Sequence, residues 1–183
     1  MKIPHSGRKK ALIIVDVQPA FMNKRNKYIL KNIVQLLKTI SYDFYANALF
    51  HAEKGSLWDK QQKWVSPKDN NFSTVPEIMN LLKGKNHLAI EKTTKSVFKG
   101  DKDIFILLKD KGIEEVHLVG FDTNDCILAS AYEAFDLGFF TYIIEECCES
   151  SSSAALHKQG LALLRKQNMT NNSVIEKIHS TNL

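Results

Sequence analysis

The sequence is poor in cysteine, with three residues in a chain of 183. An odd number of cysteines makes a poor disulfide framework, so we expect free thiols in a reducing compartment. There is no Cys-x-x-Cys pair, and the six histidines show no metal-ligand spacing such as His-Glu-x-x-His. The sequence therefore predicts no structural zinc site.

Long hydrophobic runs are also missing. No apolar stretch approaches the roughly 20 residues that a membrane-spanning helix needs. The basic segment 1–10 is not followed by the apolar region and small-residue cleavage site of a signal peptide. We therefore expect a cytoplasmic protein with no membrane partner. Because there is no internal repeat, low-complexity tract or linker, one domain over residues 1–183 is predicted.

Positive charge is present but dispersed. The net charge is +5, yet the lysines are spread along the chain close to acidic residues. The densest basic run, Arg8–Lys10, is too short to form a groove that follows a phosphate backbone. A solvated basic surface is the better interpretation, and no nucleic-acid partner is expected.

Short apolar segments alternate with segments of helical periodicity. Residues 11–16 are apolar and β-branched, without alternation, which is typical of a parallel strand buried on both faces. Further strands are predicted at 44–50, 88–90, 115–119 and 139–144, with a weaker pattern near 173–175. Helices are predicted at 28–40, 75–82 (with Thr74 as N-cap and Pro76 at the first position), 104 to about 112, 127–137 and 150–167. The alternation predicts an α/β fold, a parallel Rossmann-like sheet with helices on both faces.

The periodicity fails between residues 51 and 71. A loop of this length in a compact domain is usually functional or mobile, so we expect it to set substrate specificity. It carries Trp58 and Trp64, which we predict to form the pocket walls together with Phe21 and Phe98. Packing in a satellite core, or an oligomer contact, is the alternative for the two tryptophans.

Three reactive side chains fall at or just after predicted strand ends, where open α/β sheets bind ligands. Asp16 ends the first strand, Lys92 follows the third, and Cys126 lies near the start of the helix after the fourth. A helix N-terminus and a nearby lysine would favour the thiolate, and a carboxylate could take the thiol proton. Taken singly, the three residues could be a turn cap, a surface lysine and a buried small hydrophobe. Their joint placement favours a cysteine nucleophile.

Four segments carry a resemblance to a known family: residues 11–18, 91–98, 120–126 and 134–138. Together they resemble the isochorismatase-like cysteine hydrolases, which include nicotinamidases, carbamoyl-amide hydrolases and isochorismatases. The resemblance covers nearly the whole chain and implies a three-layer αβα sandwich. It also implies the Asp–Lys–Cys triad of the family's amidohydrolases, which falls on Asp16, Lys92 and Cys126.

The resemblance extends to the region around the cysteine. It implies a cis peptide bond between Phe121 and Asp122, and an oxyanion hole formed by the amides of Asp122 and Cys126. The family often has a small residue at position 122, so a carboxylate here is expected to point away from the oxyanion. Lys95 is a rival to Lys92, but Lys92 matches the family position.

The sequence departs from the nicotinamidase pattern at the metal site. Nicotinamidases carry an Asp-x-His metal motif after the second strand, and residues 50–54 lack it. His51 and Glu53 could contact a metal, although an ordinary loop histidine is the preferred interpretation. We therefore predict a metal-free site without cofactor, and poor turnover of nicotinamide. The relatives imply a homo-oligomer, a dimer or tetramer.

The predicted function is hydrolysis of a small-molecule amide or related C–N bond through an acyl-enzyme. The presence of Cys126 favours an amidase over an enol-ether hydrolase of the isochorismatase type, which typically lacks the cysteine. That activity remains an alternative, as does a catalytically silent binding scaffold. Cys147 and Cys148 are predicted to pack in the core, and Gln18 to give structural support.

Overall fold

The computed structural model describes residue 3 and the ranges 6–67 and 72–173. Its centre is a five-stranded, all-parallel sheet in the order β3-β2-β1-β4-β5. The strands are β1 (Lys10–Val15), β2 (Phe44–Phe50), β3 (His87–Lys92), β4 (Glu115–Gly120) and β5 (Phe140–Cys148). The predicted strand near 173–175 falls mostly outside the described residues, since Val174 and Ile175 are not among them.

In the described part of the chain, α-helices cover both faces of the sheet. They are α1 (Tyr28–Thr39), α2 (Pro76–Leu82), α3 (Ile104–Asp110), α4 (Cys126–Asp136) and α5 (Ala154–Lys166). Apolar residues of α1 and α2 pack on one face, and those of α3, α4 and α5 pack on the other. The predicted three-layer αβα sandwich is confirmed. Within the described ranges, no helix is both long and apolar enough to cross a membrane.

The central strand β1 shows why the apolar run lacks alternation. Residues 11–15 are fully buried, with Leu12 and Ile14 in the α1–α2 layer and Ile13 and Val15 in the opposite layer. Because successive side chains point to opposite faces, a strand covered on both sides must be apolar at every position. Burying each Leu, Ile or Val stabilises the fold by about 1.5–3 kcal/mol.

Two helix starts differ from the predictions. Helix α2 does begin at Pro76, but the predicted cap Thr74 is wrong, because its hydroxyl accepts a hydrogen bond from the Asn47 side chain instead. Helix α5 begins later than the predicted residue 150, because the Ser153 hydroxyl accepts from the amide of Leu156 and caps the helix there. The serines before Ser153 therefore remain in a loop.

The last strand is longer than predicted. Strand β5 continues to Cys148, four residues beyond the expected end at 144. Cys147 and Cys148 are both fully buried, Cys147 in the α1–α2 layer and Cys148 in the opposite layer. The prediction that both pack in the core is confirmed.

The strand order places a crevice between β1 and β4. The chain moves outward from β1 to β3 and then returns to lay β4 against the other side of β1, which makes their carboxyl ends the topological switch point. Gly120 ends β4 with φ +119°, and a Cβ there would lie 2.1 Å from the carbonyl oxygen of Val15. Only glycine allows this close approach, which brings the loop after β4 beside the end of β1.

Candidate active site

A cavity of about 460 Å³ opens at this crevice. Its volume is suited to a small molecule. Aromatic side chains form much of the wall: Phe21, Phe50, Trp58, Trp64 and Phe121. Polar and reactive groups complete it: Asp16, Asn23, Gln62, Asp122, Asp125, Cys126, Ser151 and Ser152.

The three predicted reactive residues meet at this cavity. Lys92, the last residue of β3, has a fully buried side chain whose Nζ donates to Asp16 Oδ2 at 2.8 Å and to the carbonyl oxygen of Thr94 at 3.0 Å. The same Nζ lies 3.5 Å from Cys126 Sγ. Lys95, the sequence rival, instead forms an ion pair with Asp125 and is about half exposed. The structure therefore brings Lys92, and not Lys95, to the cysteine.

Asp16 is held in a strained and buried position directly after β1. Its φ is +53°, in the left-handed region that few non-glycine residues adopt, and its amide donates to the Ala48 carbonyl. Burial raises the pKa of the Asp16 carboxyl to about 6, against the lowering effect of the Lys92 ammonium. Within the described residues, Asp16 Oδ1 is buried without a hydrogen-bond partner. This carboxylate therefore keeps one free acceptor atom at the cavity.

Cys126 is the first residue of α4 and is almost fully buried. Burial raises the pKa of its thiol well above the usual value, and the Asp16 carboxylate raises it further, while Lys92 lowers it. Lys92 therefore favours the thiolate, as expected, but burial and the neighbouring negative charge outweigh it. The Asp16 carboxylate lies beside this thiol and can accept its proton.

Two backbone amides, one in the loop before α4 and one at its first residue, have no hydrogen-bond acceptor among the described residues. The Phe121–Asp122 peptide bond is cis, as the resemblance implied. Among the described residues, the amides of Asp122 and Cys126 donate to no acceptor, whereas those of Asp125 and Ile127 donate to the Asp122 carbonyl. The Asp122 carboxylate is held by the amide and hydroxyl of Ser151, the latter at 2.7 Å. Both amides thus remain available to an anionic oxygen.

Comparison with known proteins decides the family. The isochorismatase domain model matches residues 10–175.

The chain belongs to the isochorismatase family.

It is accordingly a hydrolase. YrdC, an isochorismatase family protein of Bacillus subtilis (strain 168), is 31% identical over 143 residues, which span 75% of this chain and 72% of YrdC. PncA, a second protein of the family from the same organism, is 28% identical over 149 residues, or 72% of this chain and 81% of PncA.

Solved structures share the fold of this isochorismatase-family chain. The crystal structure of nicotinamidase PncA from Bacillus subtilis superposes with a TM-score of 0.74 at 22% identity, covering 87% of this chain and 96% of PncA. Pyrazinamidase of Pyrococcus horikoshii, solved in complex with zinc, gives a TM-score of 0.70 at 18% identity, covering 89% and 97% of the two chains. At these identities the likeness establishes the fold alone.

The aromatic wall lacks one predicted residue and contains two, Phe50 and Phe121, that were not predicted. Phe98 does not line the cavity: it packs in the core with its ring centroid 6.2 Å from that of Phe139, so the prediction that it forms a pocket wall is wrong. Phe50 takes part in the wall instead, 4.6 Å from Trp58 and 5.5 Å from Trp64 between ring centroids. Its position as the last residue of β2, at the carboxyl edge, is a signal that could have identified it.

Gln18 fixes the position of Phe50. Its fully buried side chain donates to the carbonyl oxygens of Phe50 and Phe72 and accepts from the Phe50 amide at 2.8 Å. Trp58 is held separately, because its indole N–H donates to the Thr93 carbonyl at 2.7 Å. Residues 58–62, predicted to lack regular structure, form a short π-helical turn that carries this ring.

Among the described residues, no donor set matches the Asp-x-His metal motif of the nicotinamidases. His51 follows β2 and donates its backbone amide to the Lys92 carbonyl, while Glu53 is exposed. Across residue 3 and the ranges 6–67 and 72–173, no three His, Cys, Asp or Glu side chains are grouped to hold a metal ion. Two candidate ligands, one of them in solvent, do not fit the three or four that a protein zinc site requires.

Proposed function

We propose that this isochorismatase-family hydrolase cleaves a small amide or a related C–N bond through an acyl-enzyme on Cys126. One observation carries the proposal. The buried Lys92 ammonium contacts both the Asp16 carboxylate and the Cys126 sulfur at the edge of a cavity suited to a small molecule. A thiol, a base and an orienting cation within hydrogen-bonding reach form the arrangement that nucleophilic catalysis needs.

The first half of the reaction forms the acyl-enzyme. Asp16 takes the thiol proton while Cys126 Sγ bonds to the carbonyl carbon, and the carbonyl oxygen becomes an oxyanion. The free amides of Asp122 and Cys126 can donate to that oxyanion. When the oxyanion collapses, the C–N bond breaks, and the proton on Asp16 passes to the leaving nitrogen. An amine or ammonia departs and a thioester remains.

Water completes the cycle. Asp16, again a carboxylate, takes a proton from the attacking water, and the new tetrahedral intermediate expels the Cys126 sulfur. That sulfur recovers the proton from Asp16, and a carboxylic acid leaves. Throughout, Lys92 stabilises whichever of its two neighbours carries the negative charge, because its ammonium contacts both. No outside acid or base is needed.

Thiol labelling does not distinguish a silent scaffold from an enzyme. A raised thiol pKa makes the resting Cys126 slow to alkylate even in an active enzyme, so slow labelling does not identify a silent protein. Ammonia release does discriminate. We expect a screen of small amides, ureas and carbamoyl compounds to yield at least one substrate that the wild-type chain hydrolyses and Cys126→Ala does not. Release by neither protein from any compound would support the scaffold.

The acidic limb of the pH profile follows from Asp16. Its pKa of about 6 means that it is protonated, and unable to accept the thiol proton, below that pH. We therefore expect kcat/KM on a non-titrating amide to fall about tenfold for each unit below about pH 6, one proton being bound. Circular dichroism at each pH controls for unfolding. A profile flat down to pH 4.5 would exclude Asp16 as the base.

Chelation provides a separate prediction. Because residues 50–54 lack the Asp-x-His motif and the thiol needs no Lewis acid, we expect activity to survive exhaustive dialysis against a chelator. Nicotinamide should be a poor substrate. Elemental analysis of the dialysed protein checks that no metal remains. Activity that disappears on dialysis and returns with zinc would contradict the prediction and restore nicotinamide as a leading candidate.

A further inference from the structure

The charged side chains that line the cavity all have one sign. Among the described lining residues there are three carboxylates, Asp16, Asp122 and Asp125, and no lysine, arginine or histidine. This is unexpected in a chain with a net charge of +5. A carboxylate on the substrate would meet no counter-ion on these walls.

The three carboxylates are not equally compensated. Asp16 is paired with Lys92, and Asp125 with Lys95. Within the described part of the chain, Asp122 has no cation within salt-bridge distance, and its partners are the neutral N–H and O–H groups of Ser151. The guanidinium of Arg25 is 3.0 Å from Glu149 and serves that residue. Asp122 is thus the one described lining carboxylate with no cation within salt-bridge distance.

The environment of Asp122 makes a missing counter-ion costly. Burial raises the pKa of its carboxyl, and the nearby Asp125 raises it as well, against the two hydrogen bonds from Ser151 and the more distant charge of Arg25. A buried carboxylate without a cationic partner loses hydration free energy, which hydrogen bonds compensate only in part. A positive charge on a ligand would compensate more of it.

The aromatic wall also favours a cationic ligand. Lys92 lies over the Phe50 ring at 4.8 Å and Lys95 over the Trp58 ring at 4.8 Å. Two further rings, Phe21 and Trp64, stack at 5.9 Å between centroids and carry no cation from the described residues. Aromatic faces attract ammonium groups.

We propose that the substrate is a small amide whose acyl portion carries a protonated amine, and that the Asp122 carboxylate is the specificity determinant that receives it. This rests on the proposed amide hydrolysis. The backbone amide of Asp122 would serve the oxyanion while its side chain, held at Ser151, serves the distal cation. An acidic residue at this position is then a recognition group and not a defect of the oxyanion hole.

Three amides of similar length and different charge test the proposal: 4-aminobutanamide, pentanamide and succinamate. We expect kcat/KM to decrease in that order, with at least a tenfold difference (about 1.4 kcal/mol) between the cation and the anion. In Asp122→Asn the ratio of cation to neutral amide should fall towards one, whatever the absolute rates. A wild-type preference for succinamate, or an unchanged ratio in Asp122→Asn, would overturn the proposal.

Ser151→Ala is the matched control. It removes a hydroxyl that binds the Asp122 carboxylate but keeps the charge, so the preference for the cation should survive. Equal loss in Ser151→Ala and Asp122→Asn would mean that loop geometry, and not charge, sets the ratio, which would refute the assignment.

A binding measurement separates this proposal from the proposed reaction. In the wild-type protein, butylammonium should slow the alkylation of Cys126 by iodoacetamide, and butyrate should not. Protection by butyrate alone, or by both equally, would contradict the cation site even if amides are hydrolysed. Protection by butylammonium together with no ammonia release from any amide would instead retain the cation site and reject the amidase.

Discussion

Replacing Cys126 with alanine is expected to lower turnover of the best amide substrate by at least about a thousandfold, because no other group can form the acyl-enzyme. The proposed nucleophile is the sulfur that lies 3.5 Å from Lys92 Nζ, and alanine leaves only a methyl group there. The measurement is ammonia release under saturating substrate, with mass spectrometry of quenched enzyme to detect the thioester in the wild type.

Cys147→Ala is the control for this experiment. Cys147 is also fully buried, but it packs in the α1–α2 layer and does not line the cavity. Its removal should leave kcat close to the wild-type value. If Cys126→Ala kept near-normal activity on the same substrate, nucleophilic catalysis would be wrong, and the enol-ether hydrolase would become the better interpretation.

Asp16→Asn is expected to change two properties of Cys126 in opposite directions. Turnover should fall by about 10²- to 10⁴-fold, because an amide cannot accept the thiol proton. The thiol should nevertheless alkylate faster than in the wild type. The Asp16 carboxylate raises the thiol pKa and Lys92 lowers it, so removing the negative charge eliminates one raising effect while burial still raises the pKa and Lys92 still lowers it. The pH dependence of iodoacetamide labelling measures the thiol pKa directly.

Lys92→Ala provides the opposite perturbation. Loss of the ammonium should raise the thiol pKa and slow alkylation. Both variants break a buried ion pair, which can destabilise a protein by about 3–5 kcal/mol, so folding is verified by thermal unfolding before labelling. Slower alkylation in folded Asp16→Asn, or turnover close to wild type, would show that the carboxylate is not the partner of this thiol.

Much of the fold could be predicted because its signals are local. Strand β2 was predicted at its observed bounds, 44–50, and β1 was recognised as central from a run of apolar residues without alternation. Errors fell at element ends. Thr74 and the start of α5 were misplaced because a hydroxyl can cap a helix or bond elsewhere, and only the neighbouring chain decides which.

The sequence predicts which reactive residues form the candidate site better than it predicts which side chains face the cavity. Residues at strand ends converge in a parallel sheet, so Asp16, Lys92 and Cys126 could be grouped without a structure. Phe98 was assigned to the pocket and Phe50 was missed, because both are phenylalanines beside strand ends. Which ring faces the cavity depends on how the two strands and the following loops pack.

The sequence by itself determined the order and type of the elements, and the placement of an acid, a lysine and a thiol at the ends of parallel strands. Only the tertiary structure decided the direction in which the pKa of the Cys126 thiol shifts and the partners of each carboxylate. Asp16 and Lys92 are 76 positions apart in the chain, and Asp122 and Ser151 are 29 apart. Burial and charge pairing arise from such long-range contacts, whereas periodicity reports only on neighbours along the chain.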